Sequence, residues 1–231
     1  MNRRLFLYVN AQALAVLGAS GLLADRAHAG LLDLSNADAV SGLRAALERG
    51  AGSAVGKLGI LDGFWANDKV RIPLPGLLQD VAKIGKALGY GKRIDELHLS
   101  MNRAAEQAVP QAKSLLTSAV KSMSVTDAKQ IITGGDTSVT QFFKTKTEKP
   151  LFDKFLPIVT GVVGKVGLAQ KYNDLSAKLP VKGEAARIED YVTQQSLGGL
   201  FHMIGEEERS IRRDPVSTGS AILQRVFGGL K

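Results

Sequence analysis

LSNADAVSGLRAALERGAGSAVGKLG, residues 34–59, decides the fold class. Val40, Leu43, Leu47, Ala51, Ala54 and Leu58 recur every three or four residues, which is the spacing of one helix face. Ser35 or Asn36 can cap the start, with Asp38 in the first turn, and Gly59 can stop the end. Gly50, Gly52 and Gly56 weaken such a helix by ~1 kcal/mol each against Ala. Close packing against a neighbour is the ordinary reason to keep them.

The same period continues outward. A helix is expected over about Gly76 to Leu88, with Leu77, Val81, Ile84 and Leu88 on one face and Gly89-Tyr90-Gly91 as its end. A longer helix follows from Lys92 to about Ser122, and Pro110 inside it should kink or split it. Ser124 to Asp127 reads as a cap for Asp127 to Thr133. Gly134-Gly135 closes that segment, and Asp136 or Thr137 opens the next through Phe142 and Phe143. Lys144 to Lys149 reads as a polar, basic connection. A strongly apolar helix then runs through Leu151, Phe155, Ile158, Val159, Val162 and Val166, with Pro157 inside. Leu168 to Lys178 is helical, Pro180 to Glu184 is a turn, and Arg187 to Arg212 is a long helix. Asp214-Pro215 reads as a cap and first position for a last helix ending at Phe227. The expected architecture is all-α, a single-domain bundle of about eight or nine helices over residues 30–231.

One passage departs from this pattern. Residues 67–75, NDKVRIPLP, hold an extended, proline-containing crossover, because each proline biases the residue before it away from helix. Val70 to Leu74 is the one strand-like stretch, and its prolines keep it at an edge or outside any sheet. Phe64 and the sole tryptophan, Trp65, are expected to plug the core beneath the crossover. Arg71 is left to pair with an acid or a ligand.

The start of the chain reads as a leader. Met1-Asn2-Arg3-Arg4 is basic, Leu5 to Ala24 carries no charge, and Ala27-His28-Ala29 before Gly30 fits a cleavage site. Residues 1–29 are therefore expected to be a cleaved signal peptide, and the protein to be periplasmic or secreted. A retained anchor is the alternative, although Asn10 and Gln12 interrupt the run. Arg3-Arg4 followed by apolar residues resembles a twin-arginine signal, so both that route and the general one stay open. Cysteine is absent, which excludes disulfides, a thiolate nucleophile and a lipid-bearing cysteine. The full chain carries +8, and removal of Arg3, Arg4, Asp25 and Arg26 with the leader leaves +6. That balance favours anionic surfaces and does not call for nucleic acid.

Residues able to carry chemistry are few. Asn102, Arg103 and Glu106 share a polar side of one helix and can form a pocket wall or a hydrogen-bond network between helices. His202 and Glu206 lie four apart, followed by Glu207 and Glu208. One histidine and one acid fall short of the three protein ligands of a usual zinc site, and pairs of Glu206 with Arg209 and Glu208 with Arg212 explain the same residues. Gly134-Gly135-Asp136-Thr137 could cradle an anion but lacks the lysine and strand of a phosphate loop.

Five stretches together carry a resemblance: residues 34–59 quoted above, NDKVRIPLPGLL from Asn67, DELHLSMNRAAEQAVPQAK from Asp95, FLPIVTGVVGKVGLAQKYNDL from Phe155, and DYVTQQSLGGLFHMIGEEERSIRRDP from Asp190. The chain resembles the bacterial family of secreted proteins known as domain of unknown function 4197. The resemblance implies export and a helical fold, and carries over no activity and no site residue.

The expected function is a non-enzymatic binding or interaction module of the cell envelope, with a cavity between helices for a hydrophobic or lipid-like ligand. Its candidate binding residues are Trp65, Arg71, Asn102, Arg103 and Glu106, without metal or cofactor, and its partner is a hydrophobic small molecule or an envelope protein. The alternatives are a structural or assembly partner in the envelope, and a cofactor-free hydrolase or lyase using Glu106 or Glu206 to Glu208.

Overall fold

The computed structural model describes residues 34–177 and 187–230. The leader and the Pro180–Glu184 turn lie outside the described residues. Within them the chain is all-α with no strand. The helices are α1 (Asn36–Leu58), α2 (Gly76–Gly85), α3 (Gly91–Ala108), α4 (Ala112–Ser122), α5 (Ala128–Ile132), α6 (Ser138–Lys165), α7 (Leu168–Ser176), α8 (Ile188–Arg213) and α9 (Ala221–Gly228). A wide turn, Lys86–Tyr90, joins α2 to α3, and a tight turn, Val109–Gln111, joins α3 to α4. Joined across those two turns, the segments run as seven helices.

Ser35 caps α1 as its residue type predicts. Its Oγ accepts the Asp38 N–H at 3.0 Å and donates to the Asp38 carboxylate at 2.7 Å, which satisfies one of the open donors of the first turn. The apolar face of α1 lies mainly against α8, and α8 in turn packs on α6. Glycines let these helices approach closely. A Cβ on Gly42 would lie 2.6 Å from Val226 Cγ2, one on Gly50 3.0 Å from Ile204 Cγ2, and one on Gly199 2.7 Å from Phe64 Cε1. Gly52 and Gly56 differ from Gly50: both are exposed, with nothing within 4 Å of an added Cβ. Close packing therefore explains only the first of the three.

Pro110 splits the long segment as expected, at the tight turn between α3 and α4. At the end of α2 the break comes from Gly89, whose φ of 86° only glycine adopts readily. Leu88 beside it is 62% exposed rather than on a core face; the side chains of Leu77, Val81 and Ile84 lie outside the described ones.

Lys144 to Lys149 is not a connection. It is the middle of α6, a helix of 28 residues holding both Pro150 and Pro157. Thr147 turns inward there, buried between Phe143 and Leu151, and donates its hydroxyl proton to the Phe143 carbonyl at 2.6 Å. The threonine thus continues the stripe Phe143, Thr147, Leu151, Phe155, Val159 through a segment that is otherwise polar. Both prolines face solvent, where water can serve the carbonyls that lose their helix partner. At the other end, Asp214-Pro215 opens a tight turn, Val216–Thr218, in which Asp214 accepts the Ser217 N–H at 3.2 Å. Gly219, with φ at 67°, then breaks the chain, so the last helix begins at Ala221.

Candidate functional site

The crossover leaves α1 through a turn and becomes extended over residues 71–75. Phe64 is fully buried and does plug the core; Trp65 is only half-buried and does not. α3 holds the crossover with side chains spaced four apart, His98, Asn102 and Glu106. Asn102 Oδ1 accepts the Ile72 N–H at 2.8 Å, and its Nδ2 donates to the Ile72 carbonyl at 3.0 Å and to the His98 carbonyl at 2.9 Å. His98 Nε2 is 2.9 Å from the same Ile72 carbonyl, so that nitrogen carries the proton. Both backbone polar groups of Ile72, its N–H and its carbonyl, are thereby held by α3.

Glu106 grips a second point. Its Oε1 accepts the N–H groups of Phe64 and Trp65, each at 3.0 Å, and its Oε2 accepts Arg103 Nη1 at 2.7 Å. Arg103 also pairs with Asp62 at 2.7 Å. The neighbouring Glu106 carboxylate raises the Arg103 guanidinium's affinity for its proton. Arg71 pairs with Asp68 at 2.7 Å, donates to the Trp65 carbonyl, and stands 5.5 Å over the Trp65 ring. The Trp65 ring also meets the His98 ring edge-on, with centroids 5.0 Å apart. Burial lowers the His98 pKa below 6.5, against the opposing pull of the Ile72 hydrogen bond. Tyr191 donates to the Pro73 carbonyl at 3.0 Å, and burial raises its hydroxyl's pKa so that it stays a donor.

The five candidate residues therefore come together around one crossover. Asn102, Arg103 and Glu106 spend their polar atoms on its backbone and on one another. Trp65 lines a shallow depression of about 590 Å³ with Lys86, Gly91, Lys92, Asp95 and Leu99, and the other four do not.

The second acidic group divides. Glu208 is buried and accepts the N–H groups of Val139 and Thr140 at 3.1 and 2.8 Å and the Thr140 hydroxyl at 2.7 Å. Arg212 closes it at 2.7 Å and also donates to the Ile132 carbonyl and the Ser138 hydroxyl. The start of α6, read as a possible anion cradle, is thus filled by the protein's own carboxylate. Glu206 and Glu207 turn outward. His202 Nε2 is 3.9 Å from Glu206 Oε1, and no three metal-binding side chains cluster among the described residues. Partial burial works to raise the Glu206 carboxyl, but Lys69, with Arg209 and His202, outweighs it and holds the pKa low. Glu106 and Glu208 share no cleft: one serves the crossover, the other the start of α6.

A feature that the sequence reading missed lies between α4 and α6. A groove of about 320 Å³ has a floor of Leu115, Ala119, Met123 and Leu151, and Lys146 and Lys154 stand at its edge. Serines, Thr147 and Pro150 complete its lining, which includes no carboxylate. Lys146, Pro150 and Lys154 follow one another at helical spacing, a signal hidden once residues 144–149 are read as a loop.

The chain belongs to the family described as protein of unknown function (DUF4197), whose model matches residues 33–228. No curated protein and no solved structure matches it.

Proposed function

We propose that this is an exported, non-catalytic binding module that holds an amphiphilic, lipid-like ligand in the groove between α4 and α6. The observation that carries the reading is the pairing of an apolar floor with two edge lysines and no lining carboxylate. An acyl chain would replace water over Leu115, Ala119, Met123 and Leu151, and Lys146 and Lys154 would face an anionic head. The volume, about 320 Å³, is within the range of small-molecule sites. Catalysis by carboxylates is disfavoured because Glu106 and Glu208 are engaged by backbone N–H groups and arginines. The export part of the reading rests on the basic start, the uncharged run and the Ala27-His28-Ala29 signal.

Native mass spectrometry of protein gently purified from the periplasmic fraction tests both parts. The expected result is protein in that fraction carrying a reproducible extra mass, lost in an Ala119→Trp variant that fills the groove. A bare mass, together with no uptake of a fluorescent fatty acid by the unchanged protein, would overturn the binding reading. Protein confined to the cytoplasm would overturn export.

A further inference from the structure

The end of α1 holds two features that neither the crossover clamp nor the α4–α6 groove uses. One is basic. Lys57 from α1, Lys69 from the crossover, and Arg209 and Arg213 from α8 line a surface depression of about 440 Å³ together with Glu206 and Glu207. Glu207 is held by Arg49 at 2.9 Å, and Glu206 by Arg209. The lysines stand further off, Lys57 Nζ at 3.8 Å from Glu207 and Lys69 Nζ at 3.4 Å from Glu206, with side chains 59% and 63% exposed. Each carboxylate is thus shared between an arginine and a lysine, Lys69 among the groups that hold the Glu206 pKa low, and the four cations that line the depression outnumber its two carboxylates, which leaves it net positive toward an anion arriving from outside.

The other feature is apolar. Ile60 and Leu61, directly after α1, are 59% and 73% exposed. The turn that presents them is locked rather than loose. Asp62 holds a left-handed φ of 66°, and Arg103 fixes its carboxylate at 2.7 Å. Gly63 is pressed so closely on the end of α1 that a Cβ would lie 2.6 Å from the carbonyl oxygens of Lys57 and Leu58. Two large aliphatic side chains are therefore held out to solvent within a turn of the Lys57 backbone.

We propose that this end of the molecule docks on an anionic lipid surface, with Ile60 and Leu61 entering the interface and Lys57 and Lys69 meeting lipid phosphates. A free phosphate would use the basic depression but gives the aliphatic pair nothing to do; a bilayer uses both. The net charge of the chain has the sign this requires. The docking surface is separate from the groove and does not depend on it.

Vesicle co-sedimentation tests it, using protein in the form its cell leaves it. Vesicles of phosphatidylglycerol with phosphatidylcholine are compared with phosphatidylcholine alone. The expected result is binding to the anionic vesicles only, weakened by salt. Lys57→Gln with Lys69→Gln should lower it about fivefold per lysine, and Ile60→Ser with Leu61→Ser about tenfold per residue. All four side chains are exposed, so the variants should melt like the unchanged protein. The proposal is overturned by equal binding to neutral vesicles, by no binding, or by either variant pair binding anionic vesicles unchanged. It is also overturned if millimolar inorganic phosphate displaces the vesicles at constant ionic strength, which would assign the depression to a free anion.

Discussion

Glu106→Ala is the perturbation that most directly tests how the crossover is held. The substitution removes the acceptor of two backbone N–H groups, Phe64 and Trp65, each at 3.0 Å, and one partner of Arg103. Phe64 is fully buried, so its N–H has no water to turn to. An unpaired buried donor costs about 1–3 kcal/mol, and a hydrogen bond to a charged group is worth about 1.5–3 kcal/mol. The loss should come to about 4 kcal/mol, because Arg103 keeps Asp62 and the Trp65 N–H is only partly shielded. For a chain of this size that lowers the melting temperature by about 8–16 °C. Trp65 is the sole tryptophan and sits at the clamp, so its fluorescence reports the crossover, while circular dichroism at 222 nm reports the helices. In urea the Trp65 transition should precede the helical one in Glu106→Ala and coincide with it in the unchanged protein. Glu106→Gln keeps one carbonyl for the two N–H groups but turns an amide NH₂ toward the Arg103 guanidinium, and should cost about half as much. A Glu106→Ala protein within about 1 kcal/mol of the original, with coincident transitions, would refute the clamp.

Three further outcomes follow from the same geometry. Glu208→Ala strips the Val139 and Thr140 N–H groups and leaves Arg212, 12% exposed, without its carboxylate; a urea titration should show a loss of about 3–5 kcal/mol. Burial keeps the folded His98 pKa below 6.5, so the unfolded chain takes up that proton first. The stability tied to neutral His98 is complete above pH 6.5 and declines as pH falls below it toward the folded pKa. An NMR titration should place the His98 midpoint under 6.5, and His98→Gln should flatten that part of the stability profile. Glycine substitutions should split by sign. Gly42→Ala and Gly199→Ala meet Val226 and Phe64 at under 3 Å and should cost about 1–3 kcal/mol. Gly52→Ala and Gly56→Ala meet nothing within 4 Å and should raise stability by up to about 1 kcal/mol each, as thermal melts will show.

The helices were legible wherever apolar residues recur at helical spacing and a residue of clear cap chemistry precedes them, as Ser35 does before α1. Their continuity was not. Through Lys144 to Lys149 the outward residues are charged apart from Thr145, and the inward one is Thr147, whose hydroxyl is satisfied within its own helix by the Phe143 carbonyl. A buried threonine and a solvent threonine look alike in the chain. The groove between α4 and α6 depends on that stretch being helical, because only then do Lys146, Pro150 and Lys154 fall on one side. A single local misreading therefore concealed the apolar site. The crossover was legible from Pro73 and Pro75, since proline acts on its immediate neighbour. The partners of its backbone were not, because Glu106 lies 42 residues from Phe64 and no local rule links them.

The two buried carboxylates nevertheless left a trace in the spacing. Leu197, Phe201, Ile204, Glu208 and Ile211 advance by four, three, four and three, and every one is buried. Glu208 occupies a core position of α8 and breaks the pattern only in chemistry. Asn102 and Glu106 do the same along α3, and Val109 in the turn after it continues the spacing, again all buried. An acid on a core stripe cannot remain without donors, because a lone buried carboxylate is far costlier than the helix that carries it is stable. Its presence therefore requires a cluster of unspent N–H groups facing it, and helix starts and turns have them. The chain offers both: the helix start after Gly134-Gly135-Asp136-Thr137, and the turn at Phe64-Trp65 that begins the crossover. Matching buried acids to unspent donors would have paired Glu208 with one and Glu106 with the other. It would also have removed both from the inventory of catalytic groups, because their oxygens are already taken by backbone N–H groups and arginines.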